Sequence, residues 1–332
     1  MSPGVTRIPL PLPNDALRAV NVYAITDADG LVLIDGGWAQ PEAEQQLAVG
    51  LRTIGAEPGD IRRVLVTHIH RDHYTLAITL RQKYGTRVAL GVAERPSVRR
   101  VLAGGGGSGP LLRLRACGAG SLADEIELLR GEETSETGPW ETPDEWLGEG
   151  ADGDTAHQVD VSLGQRSLQA VPTPGHTRGH VVFRDAAAGL LFAGDHVLPH
   201  ITPSIGFVPE PGPLPLGDFL DSLRLVRAMP DTVLLPAHGP TAPSVHARVD
   251  ELVEHHDKRL AASQAAVQAG AVTAAEAARQ LTWTRREHHL DDMNPFNRML
   301  AVTETGAHLD LLVATGRLHS AVEQGVVCYR PV

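Results

Sequence analysis

The sequence predicts an α/β fold of helices layered on sheet, followed by a helical C-terminal segment that closes in a small hairpin. Three observations predict it. Short aliphatic or β-branched runs alternate with amphipathic stretches through the first hundred residues, short strands return at regular spacing between 159 and 193, and long helical periodicities take over beyond Pro243. At 332 residues the chain has room for a large domain and a smaller one, and 42% apolar residues are enough for a substantial core.

In chain order, Val20 to Thr26 and Leu31 to Ile34 read as strands joined by Asp27-Ala28-Asp29-Gly30, whose Asp-Gly pair is a hairpin signal. The second strand ends in Asp35-Gly36-Gly37, a turn. Pro41 to Ile54 reads as a helix, with Pro early and Gly55 past its end. Strand, helix, strand and helix follow at Ile61 to Thr67, Tyr74 to Tyr84, Arg87 to Gly91 and Glu94 to Leu102. Gly104 to Gly109 reads as a hinge, because no Gly-Lys-Ser/Thr follows it to make a phosphate loop. Leu111 to Leu114, a helix over Leu122 to Leu129 and an acidic stretch with Trp140 and Trp146 complete an insertion over residues 104–153, a candidate lid over substrate or a solvated surface insertion.

Strands resume at Val159 to Leu163, Leu168 to Pro172, His180 to Arg184 and Leu190 to Ala193. Val245 to Gly270 has helical spacing of Val249, Leu252, Val253, His256 and Leu260. Thr273 caps a helix to Leu281, Asn297 to Thr315 forms another that Gly316 stops, and Leu318 to Ala321 with Val326 to Tyr329 form strands around Glu323-Gln324-Gly325. Three helices and a hairpin make a winged-helix pattern. The expected division is residues 1–243 as catalytic domain and 244–332 as the helical winged-helix-like domain.

Composition narrows the function. The net charge is −11, and residues 249 to 332 hold more acids than bases, so nucleic acid is disfavoured as a partner. Cys117 and Cys328 are the only cysteines, too few for a disulfide scaffold or a thiolate zinc site. Met1 to Asn14 lacks a secretion signal's basic start and apolar core, and no window approaches the ~18 apolar residues of a membrane span. A cytoplasmic protein without membrane partners is expected.

Chemistry concentrates in Thr67-His68-Ile69-His70-Arg71-Asp72-His73, with three imidazoles and a carboxylate directly after an apolar run. That density suffices for two adjacent cations, and zinc suits imidazole and carboxylate donors at about 2.0–2.2 Å. Thr173-Pro174-Gly175-His176-Thr177-Arg178-Gly179-His180, Ala193-Gly194-Asp195-His196 and Leu234-Leu235-Pro236-Ala237-His238-Gly239 each place His or Asp at the end of an apolar run beside glycine. Asp35 could accept a hydrogen bond from a ligand histidine and fix its tautomer.

These five motifs in this order resemble the metallo-β-lactamase superfamily over roughly residues 5 to 240, and most nearly its lactamase-β-2-like and glyoxalase-II-like hydrolases. The resemblance implies a four-layer αββα sandwich with a dinuclear metal site at the sheet edges, and a C-terminal winged-helix appendage is common in the first of those groups. Carried over by motif, one metal takes His68, His70 and His176, the other Asp72, His73 and His238, and Asp195 bridges them. Two Zn2+ are expected, with iron or manganese as substitutes. No cysteine ligand stands where one group of lactamases uses it, so antibiotic hydrolysis is not the expected role.

Two cations sharing a water would bring its pKa from about 15.7 towards neutrality, giving a hydroxide that Asp72 could orient. The expected reaction is hydrolysis of an acyl bond, thioester or ester/lactone before amide, in a small-molecule or acyl-carrier substrate. Metal-dependent RNA or DNA cleavage is the rival enzyme reading, and a ligand-sensing winged-helix regulator the non-catalytic one. His180 is a candidate for proton transfer or ligand support, whereas His200 reads as a loop residue. His255, His256, His288 and His289 are expected on helix surfaces, and His288-His289 before Asp291-Asp292 is too weak a metal pattern to adopt. The appendage could pack on the sandwich, line the substrate entrance or build a homodimer contact.

Overall fold

In Val5–Pro11 (β1), Ile8 and Leu10 face the helices and Val5 the core between the sheets, while Pro9 and Pro11 interrupt its donors. It lies at a sheet edge, where a strand tolerates proline. The structure is a computed structural model describing residues 2–13, 17–27, 30–104, 108–132, 138–150, 156–207, 210–283 and 288–332. β1 pairs antiparallel with Ala19–Asp27 (β2), which pairs with Gly30–Ile34 (β3). Ile61–Leu65 (β4), Arg87–Gly91 (β5) and Glu145–Leu147 (β6) then add in parallel, giving a first sheet in sequence order. Residues 28 and 29 of the expected hairpin turn lie outside the described residues.

The second sheet joins Val159–Ser162 (β7), Ser167–Pro172 (β8), Val181–Asp185 (β9), Leu190–Gly194 (β10) and Val233–Pro236 (β11) in the order β11-β10-β9-β8-β7. β10 and β11 are parallel and the other pairs antiparallel. Between the sheets lies one apolar core, with Tyr23, Ile25, Ile34 and Leu65 facing Leu168, Phe183, Phe192 and Leu235.

Outside the first sheet pack Pro41–Arg52 (α1), Arg71–Tyr84 (α2) and Arg95–Leu102 (α3), through side chains such as Leu47, Leu51, Leu76, Leu80 and Val98. Outside the second lies a larger helical layer of Ser108–Ala116 (α4), Gly120–Glu132 (α5), Pro215–Ala228 (α6), Val245–Gln268 (α7), Ala274–Arg279 (α8) and Pro295–Ala314 (α9). Its core is continuous with the sheet, for Leu220, Leu252, Ala277 and Leu309 share a cluster with Val171, Leu191 and Leu234. The result is the αββα sandwich, carrying α7 to α9 and a hairpin of Leu318–Glu323 (β12) and Val326–Pro331 (β13).

The C-terminal helices begin where their caps dictate. The Ser244 Oγ accepts from Ala247 N–H, Thr273 and Glu276 form a capping box, and the Asn294 side chain accepts from Asn297 N–H before Pro295 in the first turn. In the 104–153 insertion, residues 105–107, 133–137 and 151–155 lie outside the described residues, so most of the glycine run does too. The described helices α4 and α5 pack against α9, with Arg113 paired to Asp310 at 3.3 Å and Arg298 to Glu125 at 2.8 Å. Among the described residues, no helix is long and apolar enough to cross a membrane.

Candidate metal centre

The histidine-rich segment changes from extended chain to helix within itself. β4 stops at Leu65, His70 occupies the N-cap of α2, and Asp72 and His73 fall in that helix's first turn. The helix therefore begins three residues earlier than Tyr74, because Arg71 to His73 already have helical geometry. This sends Asp72 and His73 into a second group of donors with His238, although the His73 ring still lies 4.0 Å from that of His68. His176 follows β8, Asp195 follows β10, His238 follows β11 and Asp35 follows β3, so strand ends of both sheets supply the site.

His68 Nε2 lies 2.9 Å from His70 Nδ1, which lies 3.0 Å from His176 Nε2. The protons of His176 and His68 can be placed from the far side of each ring. His176 Nδ1 donates to the Ser204 carbonyl at 2.8 Å, leaving a lone pair on Nε2. His68 Nδ1 lies 3.0 Å from the Thr67 hydroxyl, which donates to Asp35, so His68 also presents a lone pair from Nε2. His70 Nε2 is buried with no partner, so the far side of that ring does not fix its proton; with the proton on Nε2, three lone pairs meet, an arrangement that requires a cation among them. Tetrahedral zinc with nitrogens at about 2.0–2.1 Å would space them at about 3.3 Å, near the separations found.

The second set is built the same way. His73 Nδ1 donates to Asp35 Oδ2 at 2.9 Å and His238 Nδ1 to the Ala19 carbonyl at 2.9 Å. Their Nε2 atoms lie 3.6 Å and 3.4 Å from Asp72 Oδ2. Asp195 faces both sets: Oδ2 is 3.5 Å from His176 Nε2, whereas Oδ1 is 3.7 Å from His73 Nε2 and 3.3 Å from His238 Nε2. His73 Nε2, His238 Nε2 and Asp195 Oδ1 are buried without hydrogen-bond partners. Buried polar atoms are seldom left so, and a cation in each set would satisfy them, so the donors fit the metals that the sequence implies.

Burial, reinforced by neighbouring imidazoles, holds His68 well below the ordinary histidine range and His70 down to about 3, so both are neutral and ligand-competent. Burial also lowers His176. At His73 burial acts downward too, but the carboxylates of Asp35, Asp72 and Asp195 outweigh it and push the ring up to about 9. His238 is likewise raised against its burial, chiefly by Asp195. Three carboxylates around these rings form an excess of negative charge that divalent cations would balance.

Several groups support these donors, and of them the sequence marks Asp35. The Asp35 carboxylate accepts from Thr67 N–H at 2.8 Å as well as from His73, and Asp35 holds a left-handed backbone with φ 61°. Gly194 is required at φ 50°, since a Cβ there would stand 2.7 Å from His180 Nε2 and Thr67 Oγ1. Glu94, wholly buried, accepts from the Thr177 hydroxyl and from Ile69 N–H, and so ties the His68/His70 loop to the His176 loop. Strand-end position was a signal for Asp35; nothing local marks Glu94 or the Ser204 and Ala19 carbonyls.

His180 is fully buried with both nitrogens engaged, Nδ1 at 2.8 Å from Thr173 Oγ1 and Nε2 accepting from Asp195 N–H at 3.2 Å. His200 lies in the loop after Asp195, and His288 and His289 are exposed. His256 departs from the expected surface placement. It is 0% exposed, because the helical spacing that places Val249, Leu252 and Leu260 inward carries position 256 with them.

Residues 15–238 match the family model described as the metallo-beta-lactamase superfamily. The chain belongs to that superfamily. It is a metallo-hydrolase of this fold with a candidate His/Asp metal-binding cluster. Along its length it resembles the probable metallo-hydrolase YqjP of Bacillus subtilis, at 25% identity over 98% of this chain and 96% of that one. A beta-lactamase-like protein 2 homolog of Caenorhabditis elegans is 32% identical over 31% of this chain and 34% of its own length. Among solved structures, metallo-beta-lactamase family protein TTHA1429 from Thermus thermophilus covers 100% of this chain and 99% of its own, with TM-score 0.75 and 27% identity. A beta-lactamase domain protein from Burkholderia ambifaria covers 100% and 93%, with TM-score 0.80 and 25% identity.

Proposed function

We propose that this metallo-hydrolase is a dinuclear zinc enzyme that cleaves an acyl bond, a thioester, ester or lactone, in a small-molecule or acyl-carrier substrate. The observation that carries the dinuclear reading is the placement of Asp195, whose two oxygens face different ligand sets. His68, His70 and His176 would hold one cation, Asp72, His73 and His238 the other, and Asp195 both. Bound there, the pair supplies a water of lowered pKa and polarisation of the substrate carbonyl.

The remaining work falls to the chain. Asp72 is 21% exposed at its side chain, against 10% for Asp195 and 3% for Asp35. It is the carboxylate open to solvent, and its oxygen turned away from His73 and His238 can take the proton of an attacking water. His180 positions Asp195 rather than moving protons, because both of its nitrogens are engaged. Phe207 lies 6.4 Å from the His70 ring and 5.4 Å from half-exposed Phe296, an apolar wall suited to an acyl chain. Arg248 is committed to the Leu198 and Ile201 carbonyls and to Glu251, and the chain's net charge of −11 disfavours a phosphate backbone. A covering role for the 104–153 insertion and a winged-helix role for the C-terminal segment are likewise proposals.

Zinc-loaded protein offered thioesters, lactones and single-stranded RNA should turn over a member of the first two classes and lose that activity to chelator. Cleavage of RNA alone would overturn the reading. Asp72→Ala should stay folded and lose at least about a hundredfold in turnover; full activity would refute Asp72's role.

A further inference from the structure

A second group of imidazoles lies between α7 and α9, apart from the centre described above. His255, His256 and Glu304 each offer one ligand atom within 4.8 Å of the others. One turn along α9, His308 donates through Nδ1 to the Glu304 carbonyl at 2.8 Å, so its Nε2 carries a lone pair. That lone pair accepts from His256 Nδ1 at 3.1 Å, which places the His256 proton on Nδ1 and leaves Nε2 bare. His256 Nε2 is buried and has no hydrogen-bond partner.

A core histidine packed only for shape would be expected to use both nitrogens. This one has its tautomer fixed by a relay and the other nitrogen idle, the condition also found at His73 and His238. The Glu304 carboxylate is similarly uncommitted. Among the described residues it makes no ion pair or hydrogen bond, and it faces a cavity of about 990 Å³. Burial pushes this carboxyl up to about 7, although the Arg259 charge acts in the opposite direction. Arg259 opposes a cation here, but its guanidinium is held by the Thr282 carbonyl at 3.0 Å and the Trp283 ring at 4.1 Å, and leaves the carboxylate available.

We propose that His255, His256 and Glu304 form a further cation site, for a divalent metal of the zinc class, with its open position towards the cavity lined by His200, Trp283 and Asn297. Two neutral imidazoles and a carboxylate are a donor set that zinc accepts while keeping a fourth position open.

The test is the zinc stoichiometry of full-length, tag-free protein, by titration of the metal-free chain and elemental analysis. Wild type should bind one zinc more than Glu304→Gln and one more than His255→Ala, whatever the dinuclear centre holds. His255 is only partly buried, so its variant serves if the α9 variant misfolds. Removing His68 and His176 together should lower the count without abolishing this increment. Equal stoichiometry in wild type and both variants overturns the site and leaves the dinuclear reading untouched.

Discussion

Replacing Asp35 by Asn should weaken one of the two proposed zinc positions and spare the other. Asp35 receives three groups: Thr67 N–H at 2.8 Å and the Thr67 hydroxyl at 3.0 Å on Oδ1, and His73 Nδ1 at 2.9 Å on Oδ2. Asparagine keeps an oxygen for Thr67 and tolerates the left-handed backbone better than most residues, so the turn should survive at φ 61°. Its amide nitrogen, however, would meet the His73 Nδ1 proton donor to donor. Relief requires His73 to move its proton to Nε2, the atom that faces Asp72 and Asp195. Loss of such a supporting partner typically costs 10–100-fold in metal affinity, or about 1.4–2.7 kcal/mol. The lost negative charge acts in the same direction and places the expectation near a hundredfold. Competition against a chromophoric chelator should resolve one weakened and one near-normal zinc equivalent, with circular dichroism unchanged. If both equivalents stay within about threefold of wild type, Asp35 does not set the His73 tautomer and the reasoning fails.

Two further predictions concern groups that support the centre without being candidate ligands. Burial pushes Glu94 from 4.5 up to about 7, so its contribution to stability is present below pH 4.5 and is lost as pH rises through 7. In metal-free protein, urea denaturation at pH 4.5 and pH 8 should therefore show wild type losing roughly 3 kcal/mol relative to Glu94→Gln; parallel pH profiles would disprove it. Gly194→Ala would put a methyl 2.7 Å from His180 Nε2 and Thr67 Oγ1 at a positive φ. Overpacking and left-handed strain together should cost about 2–5 kcal/mol, measured as a lowered melting temperature and reduced zinc content, and a variant as stable and metal-replete as wild type would contradict the packing.

Much of this fold and of the candidate centre is legible in sequence, because each candidate ligand announces itself locally: dense histidines after an apolar run, or a lone His or Asp beside glycine at a strand end. What is not legible is the set of distant groups that determine each ligand's protonation. His238 is oriented by the carbonyl of Ala19 and His176 by that of Ser204, and a carbonyl has no side-chain identity to read. Glu94 looks like the start of a helix until folding brings it against Ile69 and Thr177. The same division explains the secondary structure. β1 and three-residue β6 are stabilised by pairing at the first sheet's edges more than by their own residues, whereas α7 carries the helical spacing of Val249, Leu252, His256 and Leu260 and is read from the sequence to within two residues. His180 and His256 make the point most sharply. Motif proximity suggested chemistry for the first and helix position suggested the surface for the second, yet the first spends both nitrogens on structure and the second keeps one bare. What these two histidines can do therefore follows from which nitrogen is already bonded, and that is decided by partners that can lie as far away in sequence as His308 does from His256.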